Sequence, residues 1–350
     1  MRFPPLPSPR DVVHLYKLQA RKQLSQNFLL DMNLNRKIVN KAGKLAGCYV
    51  CEVGPGPGGI TRAILEQGVE ELIVIEKDPR FMPGLQLLAE AAKGIECGHA
   101  NRMRIFQGDI LRFNMENLFP QELKKDWKDD TPDIHIIGNL PFNVSTPLII
   151  RWLEAISTQT GAWRYGRTPL TLTFQKEVAE RMVASVLSKE RCRLSIMCQY
   201  LCDVSLKFEI PGKAFVPPPE VDVGVVKFIP LKRPLIELPF PLVEKVVSHI
   251  FHTKRKLVKN CVPTLFPPNR PELTARMFEE ADVSPDILAR RLSVEEVGRL
   301  CHVYNKICQE NPGIYEYNFR DPEYIELYRK RRSIELAKIE DQILHGEENT

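Results

Sequence analysis

No run of apolar residues in this chain approaches the ~18 needed to cross a membrane, and no membrane partner is expected. Cysteine is sparse and unpatterned. There are nine, scattered and odd in number, which argues against a secreted disulfide framework and for a reducing compartment. Cys48-Tyr49-Val50-Cys51 is formally a CxxC, but it falls on an expected strand, where residues three apart point to opposite faces. No second pair completes a zinc site, and no metal is expected. An excess of one charge is also missing. Lys and Arg number 49 against 44 Asp and Glu, and the resulting +5 permits a nucleic-acid partner without dictating one. Internal repeats and a secretory signal are lacking. Residues 1–10 are rich in Pro and carry Arg2 and Arg10 without an acid. That composition fits an organelle transit segment, while the prolines spoil the amphipathic helix such a segment uses.

What is present is an ordinary globular composition, long enough at 350 residues for two domains. Strands are expected at residues 50–53, 72–75, 103–106, 134–137 and 170–174. Helices are expected at 34–42, 60–65, 79–92, 147–156, 176–184 and 192–202, the last holding Cys198 and Cys202 on one core face. Runs 206–210 and 221–228 read as closing strands of an antiparallel edge, joined through Phe215-Val216-Pro217-Pro218-Pro219. Such alternation implies an α/β fold, a mostly parallel sheet with helices on both faces. Residues 121–131 are dense in charge and read as a surface insertion. After a proline-spaced linker near 230–241, only helical patterns follow, at 242–251, 272–280 and 293–307. From about residue 311 charge dominates, and the chain reads as a solvated helix or disordered tail. The expected domains are 1–230, 231–310 and 311–350.

The chemistry concentrates where strands end. Asn139-Leu140-Pro141-Phe142 follows the apolar run Ile134-His135-Ile136-Ile137-Gly138, at the carboxyl end of a strand. Asn139 Oδ1 and the Leu140 carbonyl can each accept from an exocyclic NH2, Pro141 fixes the turn, and Phe142 offers a ring for stacking. The alternative is an ordinary turn with Asn as a cap and Phe in the core. Glu52-Val53-Gly54-Pro55-Gly56-Pro57-Gly58-Gly59 follows the first strand and opens a helix, and its glycines let backbone approach a ligand. Gly54, Gly56 and Gly59 satisfy GxGxxG, so a dinucleotide site is the rival. The prolines shape the loop for a nucleoside and an amino acid. Glu52 supplies an anion that would repel a pyrophosphate and suit a cationic methionine end. Together these favour S-adenosylmethionine (SAM). Glu76 ends the second strand and can accept both ribose hydroxyls; the alternative is a surface acid paired with Lys77. Asp109 and the Ile110 N–H, after Gly108, can read an adenine edge, or Asp109 can be a helix cap. Gln26 and Asn27, before Phe28 and Leu29, can lid a cofactor.

Together these segments resemble the rRNA adenine N6,N6-dimethyltransferase family. The matching pieces are Gln26-Asn27-Phe28-Leu29, Glu52 to Gly59, Glu76-Lys77-Asp78, Gly108-Asp109-Ile110, Asn139 to Phe142, and Phe215-Val216-Pro217-Pro218-Pro219-Glu220-Val221. The resemblance covers about residues 15–307 and is strongest to the family's mitochondrial branch. Bacterial relatives usually carry Tyr where Phe142 stands. The resemblance implies a Rossmann-like SAM-dependent methyltransferase sheet with a small helical C-terminal domain that contacts RNA. It implies cofactor contacts at Leu29, Gly54, Glu76, Lys77, Asp109, Ile110 and Asn139, and a target adenine between Phe142 and Phe215. The implied substrate is adjacent adenines in a single-stranded loop of mitochondrial small-subunit rRNA, modified in the matrix as the small ribosomal subunit assembles.

The implied reaction needs positioning rather than covalent catalysis. Two acceptors hold the amino hydrogens and turn the N6 lone pair toward the methyl donor, and the target base leaves its stack to reach them. Arg21-Lys22, Arg151, Arg181 and Lys254-Arg255-Lys256 are candidate phosphate contacts, whereas Arg329-Lys330-Arg331-Arg332 is interleaved with acids and reads as a solvated face. Two rivals stand beside this reading. One is a nucleic-acid-binding mitochondrial transcription accessory that has the fold without needing the chemistry, with the transcription machinery as its partner. The other is an NAD enzyme, which lacks a recognisable acid/base pair.

Overall fold

The computed structural model describes residues 7–15, 26–93, 102–253 and 255–322. Arg21, Lys22, Lys254 and the cluster Arg329 to Arg332 lie outside the described residues. The chain divides into two units, Met1–Ser185 with Lys189–Glu237, and Val186–Ser188 with Leu238–Thr350.

Near-continuous apolar runs build the centre of the first unit. Strand β2 is Tyr49–Val53, β3 Glu71–Glu76, β4 Arg102–Gln107, β5 Ile134–Gly138, β6 Leu170–Gln175, β7 Cys202–Ile210 and β9 Val223–Pro230. Among the described residues these seven form one sheet in the order β4-β3-β2-β5-β6-β9-β7. The first five are parallel, and β9 runs antiparallel to both β6 and β7. Every residue of β3 is buried, as expected of a parallel strand covered on both faces. The edge strand β4 instead carries Arg102 and Arg104, cations that discourage further pairing. A separate two-stranded ribbon joins β1, Phe28–Leu29, to β8, Phe215–Val216, with Phe28 opposite Val216 and Leu29 opposite Phe215.

Helix α1 is Pro9–Leu15, and its Val12 joins the core against Gly84. Helix α2, Met32–Ala42, is capped by Asp31, whose side chain accepts from the Asn33 and Leu34 N–H groups. The Lys227 Nζ donates to the Ala42 carbonyl at 2.7 Å and closes its other end. Helix α3, Gly59–Leu65, is buried at all seven residues, and α4 is Met82–Ala92. Helix α5 is Phe142–Thr158, five residues longer at its start than the spacing around Pro147 suggests. Pro147 lies inside it and can donate no bond to the Asn143 carbonyl, while Pro141, at the N-cap, marks the actual start. Helix α6 is Lys176–Val183 and α7 Arg193–Gln199. The helix expected to reach Cys202 therefore ends early, and Cys202 starts β7. The alternation of Asp203-Val204-Ser205-Leu206 overrides the helical spacing of the two cysteines.

The charged segment 121–131 is anchored. Arg167, itself 8% exposed, donates to the carbonyls of Trp127, Asp129 and Pro230.

The second unit contains α8, Phe240–Ile250, α9, Pro271–Ala281, and α10, Val294–Glu310. Ser293 and Glu296 cap α10 reciprocally. Residues 311–322 differ from the solvated tail expected there. Ile314 and Tyr317 are buried, and Phe319 meets His249 and His252 edge-on. Apolar side chains recur closely enough in this stretch to outweigh its charges. No helix among the described residues is long and apolar enough to cross a membrane.

Candidate functional site

Strand register brings the motif-bearing ends together. Val53, the last residue of β2, lies between Ile75 of β3 and Gly138 of β5, and Glu76 lies beside Gln107 of β4. Gly54, Glu76, Gly108-Asp109 and Asn139 therefore leave the sheet at one edge. The chain runs outward through β3 and β4, then crosses back to β5 on the other side of β2. This is the topological switch point, where the strand ends open a crevice.

Two hollows occupy the crevice and share Gln26, Gly54, Glu76, Leu140 and Pro141. Asn27, Leu29, Glu52, Gly56, Asn139, Phe142 and Phe215 line the first. Lys77, Asp109 and Ile110 line the second. Every residue singled out in the sequence as a base or cofactor contact thus stands in one of the two walls.

The glycine loop is shaped by its neighbours. Gly54 has φ +67°, and a Cβ there would come within 2.9 Å of Leu140 Cδ2. The loop therefore packs directly on the Asn139-Leu140 turn, which only glycine permits. Gly56 N–H donates to Glu76 Oε2 at 3.0 Å, and Asp78 N–H donates to Oε1 at 2.8 Å. Burial raises the Glu76 pKa against the pull of those two N–H groups. The carboxylate is oriented by backbone, and each oxygen keeps a lone pair for a ligand hydroxyl. The rival pairing with Lys77 does not form, since Lys77 Nζ sits 2.9 Å from Asp109 Oδ2. Asp109 Oδ1 also accepts the Leu111 N–H at 3.1 Å. Lys77 holds the Asp109 carboxyl below its ordinary range, and this acid is a partnered acceptor rather than a bare one. Beside it, Gln26 Nε2 donates to Asp78 Oδ2 at 3.1 Å and Arg80 Nη2 to Gln26 Oε1 at 3.3 Å. Burial disfavours the Asp78 anion, but hydrogen bonds from Arg80 and Gln26 outweigh it and bring its pKa to about 2. Gln26 is thereby tied to the end of β3.

Glu52 departs from expectation. It is 1% exposed, and burial, reinforced by the nearby Glu76 carboxylate, raises its pKa to about 8. Burial thus favours its neutral form near pH 7, against the standing anion that the sequence suggests. Its Oε2 is buried and meets no hydrogen-bond partner among the described residues, which leaves an acceptor free in the wall of the first hollow. Asn35 was not anticipated. Its Nδ2 donates to the Leu29 and Asp31 carbonyls at 3.1 and 2.9 Å, and its Oδ1, in the wall of the first hollow, is buried without a partner among the described residues. Its signal was visible in the sequence. Asn35, Ile38, Val39 and Ala42 share one helical face, and a lone amide on an apolar stripe needs a reason.

At the Asn139 turn, Pro141 precedes α5 and its carbonyl accepts from the Val144 and Ser145 N–H groups. Phe142 is half-buried, and Phe215, pinned opposite Leu29, is 2% exposed. Phe215 is a fixed wall rather than an open stacking face. Thr173 was also missed, and its Oγ1 lies 2.7 Å from Asn139 Oδ1 as donor. Of the cations expected at phosphates, Arg181 is paired with Glu177, while Arg151, Arg255 and Lys256 are exposed.

The donors and acceptors fit a nucleoside joined to a cationic amino acid. Glu76 offers two oriented oxygens for a ribose, and Glu52 offers a buried acid to a cation. Among the described residues no cluster of His, Cys, Asp and Glu could hold a metal ion.

The family model for ribosomal RNA adenine dimethylase matches residues 17–306. Dimethyladenosine transferase 1, mitochondrial, of Macaca fascicularis is 57% identical over 321 residues, covering 91% of each chain. The Homo sapiens protein of the same name is 55% identical over 341 residues, 97% of this chain and 95% of that one. A dimethyladenosine transferase from Plasmodium falciparum shares the fold, with TM-score 0.59 and 23% identity over 79% of this chain and 96% of that one. So does the 23S rRNA methyltransferase ErmE, with TM-score 0.52 and 21% identity over 80% of this chain and all of that one.

Proposed function

The chain belongs to the ribosomal RNA adenine dimethylase family, and from that premise we propose that it dimethylates adjacent adenines in a stem-loop of mitochondrial small-subunit rRNA during ribosome assembly. As an rRNA adenine N6,N6-dimethyltransferase it uses SAM, which when bound supplies an electrophilic methyl group. The mitochondrial location follows the names of its relatives.

The observation that carries the reading is the placement of Asn139, Leu140 and Phe142 in one wall with Glu52, Gly54 and Glu76. Glu76 holds the ribose. Glu52 gives up its proton to face the cationic amino-acid end. Asp109 and Ile110 read the cofactor's adenine. Asn139 Oδ1 and the Leu140 carbonyl accept the two amino hydrogens of the target base, so its N6 lone pair points away from them. Phe142 replaces the stacking that the base loses, worth ~1–3 kcal/mol per base, and the buried Phe215 closes the wall beside it. No strong base is required, because a methylated amino nitrogen is cationic and sheds its proton readily. A second transfer follows once the spent cofactor has exchanged. Single-stranded loops present such bases at least cost, and the exposed Arg255 and Lys256 supply phosphate contacts.

The test is to incubate the purified chain with SAM and a small-subunit rRNA stem-loop and digest the product to nucleosides. Two N6,N6-dimethyladenosines per hairpin are expected. RNA binding without methyl transfer would instead support the transcription accessory.

A further inference from the structure

We propose that Thr173 is the positioning residue that holds the Asn139 amide in its acceptor orientation, an inference that rests on the reading of Asn139 as an acceptor for the target amino group. Thr173 stands in the middle of β6 and is 1% exposed. It lies in neither hollow's wall, so it reaches the substrate only through another group. The sheet dictates which one. Parallel pairing sets Gly138 of β5 beside Leu172 of β6, and one step further along both chains brings Asn139 level with Thr173. Its hydroxyl donates to Asn139 Oδ1 at 2.7 Å, the usual length of a good O–H···O bond. No other hydrogen bond holds the Asn139 side chain among the described residues.

The consequence follows from amide geometry. The terminal torsion of Asn is broad and two-fold, so an untethered amide turns easily and can present Nδ2 where Oδ1 stood. A donor would then face the amino hydrogens of the base. The β-branched threonine has a stiff χ1 in a strand, which makes its hydroxyl a fixed anchor. One lone pair of Oδ1 is engaged by Thr173, and the second remains for the base. A valine in its place would keep the shape and release the amide.

The experiment uses the full chain, saturating SAM and the rRNA stem-loop. Thr173→Val is expected to slow single-turnover methylation by ~10- to 100-fold, the scale for a misaimed group near a reacting atom. RNA affinity and melting temperature should stay close to the parent's. Thr173→Ser should restore the rate to within a few-fold. In an Asn139→Ala background, Thr173→Val should add no further loss, because its target is gone. If Thr173→Val does not fold, Thr173→Ser and Thr173→Ala both lack the methyl and differ only in the hydroxyl, and Ser should be ~10-fold faster. Equal rates for that pair, a parental rate for Thr173→Val, or an undiminished effect in the Asn139→Ala background would overturn the proposal. Asn139→Ala at the parent rate would overturn the reading beneath it, and the two failures are separate results.

Discussion

Glu76→Ala should weaken SAM binding by an amount the local geometry bounds. Glu76 is 6% exposed, and its two oxygens are committed to the Gly56 and Asp78 N–H groups at 3.0 and 2.8 Å. Only the remaining lone pairs are left for the proposed ribose contact. Losing hydrogen bonds to a charged acceptor costs ~1.5–3 kcal/mol, a ~10- to 150-fold rise in Kd. The buried Asp78 N–H also loses its acceptor, and stability should fall by ~1–3 kcal/mol. Glu76→Gln does not rescue the site, because its NH2 would face one of two backbone donors. Calorimetry with SAM and with S-adenosylhomocysteine separates the causes. Both ligands carry the ribose and only SAM carries the sulfonium charge, so both should weaken by the same factor. A folded Glu76→Ala variant with parental affinity for both would remove Glu76 from the cofactor site.

Other predictions concern charge, space and RNA. The Glu52 carboxyl has its pKa raised to about 8, so it is protonated below that pH, and a bound cation favours its ionised form. SAM affinity should therefore climb as pH rises toward about 8, with proton release visible as buffer-dependent binding heats at neutral pH; Glu52→Gln should abolish both. The same shift lies above the unfolded value, so the ligand-free protein should lose stability as pH rises through that window, and a melting temperature that rises instead would contradict the assignment. Gly54→Ala forces a side chain onto φ +67° and within 2.9 Å of Leu140 Cδ2. It should cost ~1–2 kcal/mol in backbone strain alone and slow methyl transfer, and an unchanged rate would show that the loop and the Asn139 turn move independently. Lys254→Glu with Arg255→Glu should weaken RNA binding and flatten the slope of log K against log salt by ~0.7 for each lost contact, with SAM affinity intact.

The sheet and its loops were legible because their signals are local. Apolar runs such as Leu72-Ile73-Val74-Ile75 and the glycine-proline punctuation after Val53 identify strand ends without reference to the rest of the chain. What was not legible depends on register. Thr173 reads as an ordinary β-former between Leu172 and Phe174, and only the β5–β6 pairing carries it to Asn139. The Lys77–Asp109 pair crosses two strand ends in the same way. Charge state was also hidden, since Glu52 looks like an anion until burial is counted. Asn35 was within reach of the sequence, as the polar member of an otherwise apolar helical face. Cys202 misled because two cysteines four apart mimic a helix stripe, while the alternation beginning at Asp203 belongs to a strand.

The central claim is that the acceptor turn at the end of β5 directs methyl transfer to an adenine amino group. The most direct measurement is N6,N6-dimethyladenosine formation by Asn139→Ala on an rRNA hairpin, beside the parent, under saturating SAM. Asn139 sits at a strand end outside the core, so the variant should fold and still bind the hairpin. Its rate should fall by ~10²–10³, as for loss of one positioned electrostatic group. Dimethylation at the parent rate would contradict the account.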